Sequence, residues 1–368
     1  MILLALLGFS WLPFAHAPRP PPRAGFADPP FFVGDMQHIV PQEKLPFSPT
    51  ETATPVLDPA QTRLYVGTRD GKVRCRFRGR TSWVFQARGA ILASPLVDGE
   101  TLFVAGGDGV LYALNRFTGA VRWQVDLHEE LTTQPTAAEG RVFVMSSEQS
   151  VTALDTKDGK RIWKFHRDPP GGFTIRGDAQ PRVAHGLVYA AFAEGSVAAL
   201  QPADGVAKWM QQVSGTGDYL DVDWIEAPGD DARIYLASAK AGIVALDGQT
   251  GAPAWTYPLA GANHVTVEGA RVVAGGRGEL VGLDRASGNK VWTLSMGRDR
   301  YPTQPVALQG LVLVAQDRGP LLGIDLQTGR PRGGFDPGSG FSQPVFALPG
   351  VAYIVSNAGS LFSLGLLP

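Results

Sequence analysis

Residues 113–123 read Ala-Leu-Asn-Arg-Phe-Thr-Gly-Ala-Val-Arg-Trp, and this stretch decides the fold. The apolar residues up to Leu114 predict the end of a β-strand. Thr118-Gly119 predicts a tight turn, because glycine adopts the positive φ that such turns require. A second strand follows and carries the large aromatic side chain of Trp123. The stretch therefore predicts a β-hairpin whose second strand bears an indole.

The same pattern recurs along the chain. A strand end such as Ala-Leu-Asp precedes a turn that contains glycine, and the aromatic residues that follow are Trp83, Trp123, Trp163, Trp209, Trp255, Trp292 and Phe335. Successive aromatic positions are separated by 40, 40, 46, 46, 37 and 43 residues. A period near forty residues, with about four short strands in each unit, is typical of a β-propeller.

We predict an all-β fold, an eight-bladed β-propeller over residues 49–368, with seven blades as the alternative. Seven units end by Phe335, and an eighth begins at Ser342 and stops at Leu364 without an outer strand. Residues 31–47 contain spare strand-forming residues, so we expect them to supply the missing strand and to close the ring. We expect each indole to pack over the glycine of an adjoining turn and to join two blades.

Composition excludes several functional classes. The chain of 368 residues carries 33 basic and 34 acidic residues, so no overall field attracts nucleic acid. Cys75 is the single cysteine, which rules out an internal disulfide and a cysteine metal cluster. The six histidines show no metal-binding spacing, and no Gly-x-Ser-x-Gly nucleophile motif is present. We therefore expect no metal, no cofactor, no nucleic-acid partner and no enzymatic activity.

The N-terminal segment has the features of an export signal. Residues 2–12 are apolar, and Ala15-His16-Ala17 has the small-x-small form of a signal-peptidase site, although no Lys or Arg precedes the apolar run and Pro18 follows the site. We predict a signal peptide over 1–17 and a proline-rich tether with the ring-closing strand over 18–48. The alternatives are a mis-set start and an uncleaved anchor. No cysteine lies nearby for lipid attachment.

The first unit carries a basic alternation. Lys72, Arg74, Arg76, Arg78 and Arg80 alternate with apolar residues, so a period of two places five cations on one face of a strand. Two interpretations stay open. One is a solvated strand face, and the other is a docking patch for anionic lipid or an acidic partner.

The repeat Ala-Leu-Asp-x-x-Thr-Gly-x-x-x-Trp resembles the tryptophan-docking signature of quinoprotein dehydrogenases, which bind pyrroloquinoline quinone at the centre of an eight-bladed propeller. The resemblance implies an adjacent cysteine pair, a calcium site and a catalytic aspartate for activity. A chain with a single cysteine cannot form that pair. The PQQ-like propeller signature is therefore shared, and the redox centre is not carried over.

Two connections between repeats are longer than the others, at residues 168–181 and 214–224. An apolar-x-apolar-Arg-Gly-acidic-x-x-Pro loop, followed one unit later by Asp-Val-Asp, resembles the BamB family of propellers in the outer-membrane β-barrel assembly machinery. The resemblance implies that the first loop docks on the POTRA domains of a BamA-like subunit. By position, the contact residues are Phe173, Ile175 and Arg176, supported by Asp221 and Asp223.

The expected function is a non-catalytic scaffold that assists the folding and insertion of outer-membrane proteins, as a monomer within a larger complex. It is expected in the periplasm, next to the outer membrane, and unfolded outer-membrane proteins are possible further partners. Another interpretation of the two loops is that Phe173 and Ile175 cap the local core and Arg176 pairs internally with an aspartate. Two other functions stay open, a ligand- or polysaccharide-binding propeller and a quinoprotein-type dehydrogenase.

Overall fold

The computed structural model describes residues 30–39, 52–168, 179–215, 221–298, 300–317 and 319–366. The predicted signal peptide lies outside the described residues, and so does the tether up to residue 29. The described chain forms 32 β-strands in eight antiparallel sheets of four strands each. The prediction of an eight-bladed propeller is thereby confirmed, and the seven-bladed alternative is wrong.

Each blade runs from an inner strand to an outer strand in chain order. The strands of blades 1 and 2 are β2 (Val56–Leu57), β3 (Arg63–Gly67), β4 (Lys72–Phe77), β5 (Arg80–Gln86), β6 (Leu96–Asp98), β7 (Thr101–Ala105), β8 (Val110–Asn115) and β9 (Val121–Asp126). Those of blades 3 and 4 are β10 (Thr136–Ala138), β11 (Arg141–Met145), β12 (Ser150–Asp155), β13 (Arg161–His166), β14 (Arg182–Ala184), β15 (Leu187–Ala191), β16 (Ser196–Leu200) and β17 (Ala207–Gln212).

The second half of the ring repeats this order until the last blade. Blades 5 and 6 contain β18 (Val222–Glu226), β19 (Arg233–Ser238), β20 (Gly242–Asp247), β21 (Pro253–Tyr257), β22 (His264–Glu268), β23 (Arg271–Gly276), β24 (Glu279–Asp284) and β25 (Lys290–Ser295). Blades 7 and 8 contain β26 (Val306–Leu308), β27 (Leu311–Val314), β28 (Leu321–Asp325), β29 (Pro331–Phe335), β30 (Phe346–Leu348), β31 (Val351–Val355), β32 (Ser360–Leu366) and, as outer strand, β1 (Phe31–His38).

The ring is closed by its N-terminal strand, as the sequence predicts. β1 pairs with β32 in antiparallel register, from Phe31 opposite Leu366 to His38 opposite Ser360. Both ends of the chain thus share one blade, and the sheet that would otherwise lack an outer strand is complete. Within the expected closing segment of residues 31–47, β1 occupies Phe31–His38, and residues 40–47 lie outside the described residues.

The propeller has two faces that differ in their connections. The turn face carries the first and third hairpins of each blade, including Thr118-Gly119. The loop face carries the second hairpins and the connections from one blade to the next, such as that between Asp126 and Thr136. Every inner strand therefore begins at the loop face. Among the described residues, no helix is long and apolar enough to cross a membrane.

Six seams between blades are joined by an indole. The Nε1 atom of each tryptophan donates a hydrogen bond of 2.9–3.1 Å to a backbone carbonyl in the third hairpin of the next blade, in the pairs Trp83–Arg116, Trp123–Thr156, Trp163–Pro202, Trp209–Gly248, Trp255–Arg285 and Trp292–Leu326. The expected packing of one indole on the next blade is confirmed at these seams, because the bond satisfies the polar end of a large apolar group.

The same six rings lie on the glycines of those hairpins. A Cβ atom at Gly119, Gly159, Gly205, Gly251, Gly288 or Gly329 would lie 2.5–2.8 Å from an indole atom. These glycines also have φ between +70° and +75°, which side chains disfavour. Two independent constraints, backbone conformation and contact with the indole, therefore select glycine at the positions where the sequence repeats it.

Blade 7 departs from the sequence interpretation. In the other blades the indole lies opposite a small residue of the third strand, as Trp163 lies opposite Ala153. In blade 7 the residue opposite Gly323 is Gly333, and Phe335 lies opposite Leu321. The assignment of Phe335 to the aromatic position is therefore wrong. Phe335 packs instead against Phe341 and Phe362.

The N-terminal strand fills the space that the missing indole leaves. A Cβ on Gly323 would collide with Cγ of Pro30 and would lie 3.3 Å from the Phe31 ring. Phe31 is only 5% exposed and joins the core between blades 7 and 8. In blade 8 the indole position opposite Ser363 belongs to Asp35, so the seam between blades 8 and 1 has no such staple.

The alternating basic residues of the first unit fall into two groups, one along β4 and one at the hairpin that follows it. Along β4 the even positions are partly exposed and Val73 and Cys75 are buried, so the alternation itself is present. Near the loop face, however, Lys72 and Arg74 form ion pairs with Asp70 at 3.4 and 2.7 Å. The expectation of five cations on one strand face is wrong, because β4 ends at Phe77, so that Arg78 lies in the hairpin and Arg80 on β5.

The buried indoles are expected to dominate the stability of their seams. Trp163 is 8% exposed, and replacing it by alanine should lower the free energy of unfolding by roughly 3–5 kcal/mol. Ile162, its neighbour on the same strand, is 42% exposed and serves as the control. Ile162→Ala should cost less than about 1 kcal/mol. Chemical denaturation measures both, and equal losses would contradict the stapling role of the indole.

The N-terminal strand offers a matched pair of phenylalanines. Phe31 is buried in place of an indole, whereas Phe32 is 56% exposed. Phe31→Ala should therefore lower the free energy of unfolding by roughly 3 kcal/mol, and Phe32→Ala by well under half of that. Thermal and denaturant melts of the two variants check this expectation. A harmless Phe31→Ala would show that closure does not depend on filling the blade 7 position.

Candidate functional site

The two long connections predicted to bind a partner lie on the loop face, next to each other. One joins β13 of blade 3 to β14 of blade 4, and the other joins β17 of blade 4 to β18 of blade 5. Phe173, Ile175 and Arg176 lie outside the described residues, as do residues 216–220. The structure does describe the stems from which both connections start, and these stems define the candidate site.

Glu194 links the two stems. It lies in the hairpin between β15 and β16, and its carboxylate accepts a hydrogen bond of 2.7 Å from Nε of Arg167, at the base of the first connection. Its backbone carbonyl accepts a bond of 2.8 Å from the side-chain amide of Gln212, at the base of the second. Ser196 donates a further bond of 2.8 Å to the same carboxylate. One hairpin of blade 4 thus positions both connections.

The two predicted aspartates occupy different environments. Asp221 is 2% exposed, whereas Asp223 is partly exposed. The reason is a β-bulge between Val222 and Trp224, which interrupts the pairing of β18 with β19 at Asp223. An unbroken strand would place residues 221 and 223 on one face, and a bulge changes that alternation. No residue pattern in this segment predicts the bulge.

A cavity with a mixed polar and apolar lining lies at the axis of the ring and opens beside the two stems. Its volume is about 820 Å³, and all eight blades contribute residues from the beginnings of their inner strands. Its polar lining residues include Thr54, Ser94, Thr133, Gln134, Gln180 and Gln304. Several of these residues also join neighbouring blades, since Gln134 donates to the Pro95 carbonyl at 2.9 Å and Ser94 accepts from the Thr54 amide at 2.9 Å.

One wall of the cavity is a stack of three side chains from consecutive blades. The guanidinium of Arg182 lies 4.9 Å from the centre of the Trp224 ring, and the His264 ring lies 5.2 Å from it on another side. Trp224 is the one tryptophan of the described residues outside the repeated position. Its location at the axis explains why it does not follow the repeat.

The stack adds little net charge to the cavity. Arg182 forms an ion pair with Glu226 at 3.5 Å and donates from Nε to the carbonyl of Ile225 at 3.0 Å. Burial lowers the pKa of His264 to about 4, so its imidazole is neutral at neutral pH. The stack therefore gives this wall of the cavity little net charge.

A Ser-His-Asp arrangement exists near the first stem but is built for structure. Ser150 Oγ lies 3.0 Å from Nδ1 of His166, whose Nε2 lies 3.5 Å from the Asp168 carboxylate. Ser150 is fully buried, so no substrate carbonyl can reach its hydroxyl. Blade 8 repeats the pair with Ser360 and His38 at 2.8 Å. The pair therefore joins a third strand to an outer strand.

The cavity also lacks the groups that a quinone redox centre uses. Within the described part of the chain, no Asp or Glu lines it, and no group of three or more His, Cys, Asp or Glu is placed to hold a metal ion. Cys75 is buried in the core between blades 1 and 2. The residues present do not fit pyrroloquinoline quinone with its calcium ion and cysteine pair.

Sequence reasoning did not identify Arg167, Glu194 and Gln212 as site residues. Their hydrogen bonds join strands whose pairing a single sequence does not reveal. The weak signal available was the Glu194-Gly195 hairpin between two long connections.

Comparisons with known proteins agree with this architecture. A family model described as "Outer membrane protein assembly factor BamB" matches residues 48–116, 69–223 and 220–334. The outer membrane protein assembly factor BamB of Bordetella pertussis is 30% identical over 110 residues, which is 29% of this chain and 28% of that protein. A polyvinylalcohol dehydrogenase of a Pseudomonas species is 30% identical over 108 residues, 27% of this chain and 17% of that protein.

The local alignments with these two curated relatives thus span less than a third of either relative's length. The crystal structure of BamB from Moraxella catarrhalis superposes over 91% of this chain and 100% of its own, with a TM-score of 0.80 and 20% identity. At 20% identity, this similarity shows a shared fold and nothing further. The family model matches most of the sequence, from residue 48 to residue 334. This chain therefore belongs to the family of outer membrane protein assembly factor BamB.

Proposed function

We propose that this protein is a non-catalytic scaffold of outer-membrane β-barrel assembly. In this proposal it lies on the periplasmic side of the outer membrane, binds the POTRA domains of a BamA-like subunit and assists the folding and insertion of unfolded outer-membrane proteins. The observation that carries the proposal is family membership together with two long connections that start side by side on the loop face.

The proposed contact is compact. Phe173 and Ile175 are apolar residues on either side of a threonine, and Arg176 follows with a rigid fork of donors. Apolar anchors beside a directional cation are typical of interface hot spots. In this scheme Asp221, which is buried, supports the base of the second connection, whereas Asp223 lies closer to the surface. Glu194 acts as a positioning residue, since it holds both stems and needs no contact with the partner.

The lining of the axial cavity and the two long connections favour a scaffold over the two other candidate functions. A dehydrogenase of the quinoprotein type needs a metal site and a catalytic carboxylate, and no acidic residue of the described chain lines the cavity. A ligand-binding propeller would leave the two long connections without a role. The similarity to polyvinylalcohol dehydrogenase covers 27% of this chain and 17% of that protein, and a shared fold does not imply a shared activity.

Binding to purified POTRA domains tests the proposal. Arg176→Ala and Ile175→Asp should each weaken binding at least about tenfold, because hot-spot truncations typically cost 2 kcal/mol or more. Glu194→Gln should weaken it by a smaller factor, through loss of the ion pair with Arg167. Lys157→Ala, a cation on the opposite face, is the control and should bind like the wild type.

The outcomes separate the site from the function. If the wild type binds and neither Arg176→Ala nor Ile175→Asp matters, the contact residues are assigned wrongly. If the wild type binds no POTRA domain at all, the proposed partner is wrong. Calorimetric titration with pyrroloquinoline quinone and calcium should give no heat of binding, and a measurable affinity would favour the dehydrogenase.

A further inference from the structure

On the turn face, between blades 1 and 2, five side chains form an alternating stack, which we call the arginine–phenylalanine ladder. Its members in order are Arg78, Phe77, Arg63, Phe117 and Arg116. The guanidinium carbon of Arg63 lies 4.5 Å from the centre of the Phe77 ring and 5.1 Å from that of Phe117. Arg78 lies 5.1 Å from Phe77, and Arg116 lies 4.2 Å from Phe117.

The propeller does not need an aromatic residue at this position. In the equivalent hairpins of the other blades, the residue in the place of Phe117 is Lys157, Ala203, Gln249, Ala286 or Gln327. Phe117 is 37% exposed and belongs to none of the buried clusters of the core. An exposed aromatic residue with cations on either side points to an interaction surface.

The third hairpin of blade 1 also lacks the indole that packs on the corresponding hairpins of the other blades. No heavy atom of the described chain lies within 4 Å of a Cβ built on Gly79, whereas the corresponding glycines of blades 2 to 7 lie under an indole. The reason is the seam to blade 8, where Asp35 replaces the tryptophan. The hairpin from Phe77 to Arg80 therefore projects from the turn face without a covering blade.

The ladder carries excess positive charge. In the described part of the chain, no carboxylate lies within ion-pair distance of Arg63, Arg78 or Arg80, while Arg116 is paired with Asp58 at 2.7 Å. The Nε atom of Arg63 is buried without a hydrogen-bond partner, so ring stacking holds this guanidinium in place. Stacking leaves the charges of Arg63 and Arg78 intact, and Arg80, which pairs with Phe77 across the hairpin, adds a third cation beside the ladder.

The N-terminal segment leaves the propeller at the same face. Residue 30 precedes the start of β1, whose first residue Phe31 pairs with Leu366 at the turn face of blade 8, next to blade 1 in the ring. The upstream sequence contains the apolar run of residues 2–12 and the cations Arg19 and Arg23. The start of β1 and the ladder therefore lie on the same face of the propeller.

We propose that the ladder is a docking surface for an anionic phospholipid membrane. Arg63, Arg78 and Arg80 would bind headgroup phosphates, for which the guanidinium fork is well suited. Phe117 would enter the interfacial layer, where aromatic side chains are favoured. The ladder lies on the face opposite the two long connections, so membrane contact leaves the proposed partner site accessible. This proposal does not depend on the proposed function.

Vesicle co-sedimentation of the full chain tests the docking surface. The wild type should bind vesicles of phosphatidylglycerol and phosphatidylcholine more tightly than vesicles of phosphatidylcholine alone, and salt should weaken the difference. Arg78→Glu combined with Arg80→Glu should reduce binding to anionic vesicles more than about twentyfold, since each removed cation is worth roughly fivefold. Phe117→Ala should reduce it a few-fold.

The matched control has the same change in net charge on the same face. Lys157→Glu combined with Arg161→Glu alters the equivalent hairpin of blade 3, where both residues are exposed. It should retain most of the binding, and thermal melts should show that all variants fold. Equal losses in the control and the ladder variant would overturn the proposal, as would a wild type that does not prefer anionic vesicles. Binding of polyglutamate without binding of vesicles would point to an acidic protein partner and would also overturn it.

Discussion

The contact between one indole and one glycine hairpin is the constraint on which the propeller depends. Blades with two to eight residues per strand cannot be stable alone, so each must bury its faces against its neighbours. At six seams the ring lies against the glycine and its Nε1 satisfies a carbonyl of the same hairpin. The contact fixes both the spacing and the relative rotation of neighbouring blades. It leaves the hairpin tips and the connections between blades to vary.

The remaining two seams show what happens where the repeat ends. Blade 8 takes its outer strand from the N-terminus, so it has no third hairpin on which an indole of blade 7 could rest. Pro30 and Phe31 occupy that space, and Gly333 stands where the tryptophan would be. At the last seam Asp35 replaces the indole and blade 1 has a shorter hairpin. Closure by a strand distant in sequence thus alters the chemistry of the surface on both sides of the junction.

The sequence predicts the architecture well because the repeated unit is local. The strand, the turn and the tryptophan lie within about eleven residues, as in 113–123, so each copy is visible by itself. Phe335 was misassigned because aromatic spacing alone does not reveal strand register, and a two-residue difference leaves a residue on the same face. The role of Glu194 and the ladder depend on contacts between residues up to about fifty positions apart. A single sequence gives no register for such contacts.

The central claim is that each indole and its glycine act as one unit. A double-mutant cycle with Trp123→Ala and Gly159→Ala measures this most directly, since a Cβ on Gly159 would lie 2.6 Å from the Trp123 ring. Removing the ring should relieve that clash and leave the backbone strain of the alanine and its contact of 2.9 Å with Val125 Cγ2. The account predicts that the double variant is more stable than the sum of the single losses by more than about 1 kcal/mol. Losses that add to within about 0.5 kcal/mol would contradict it.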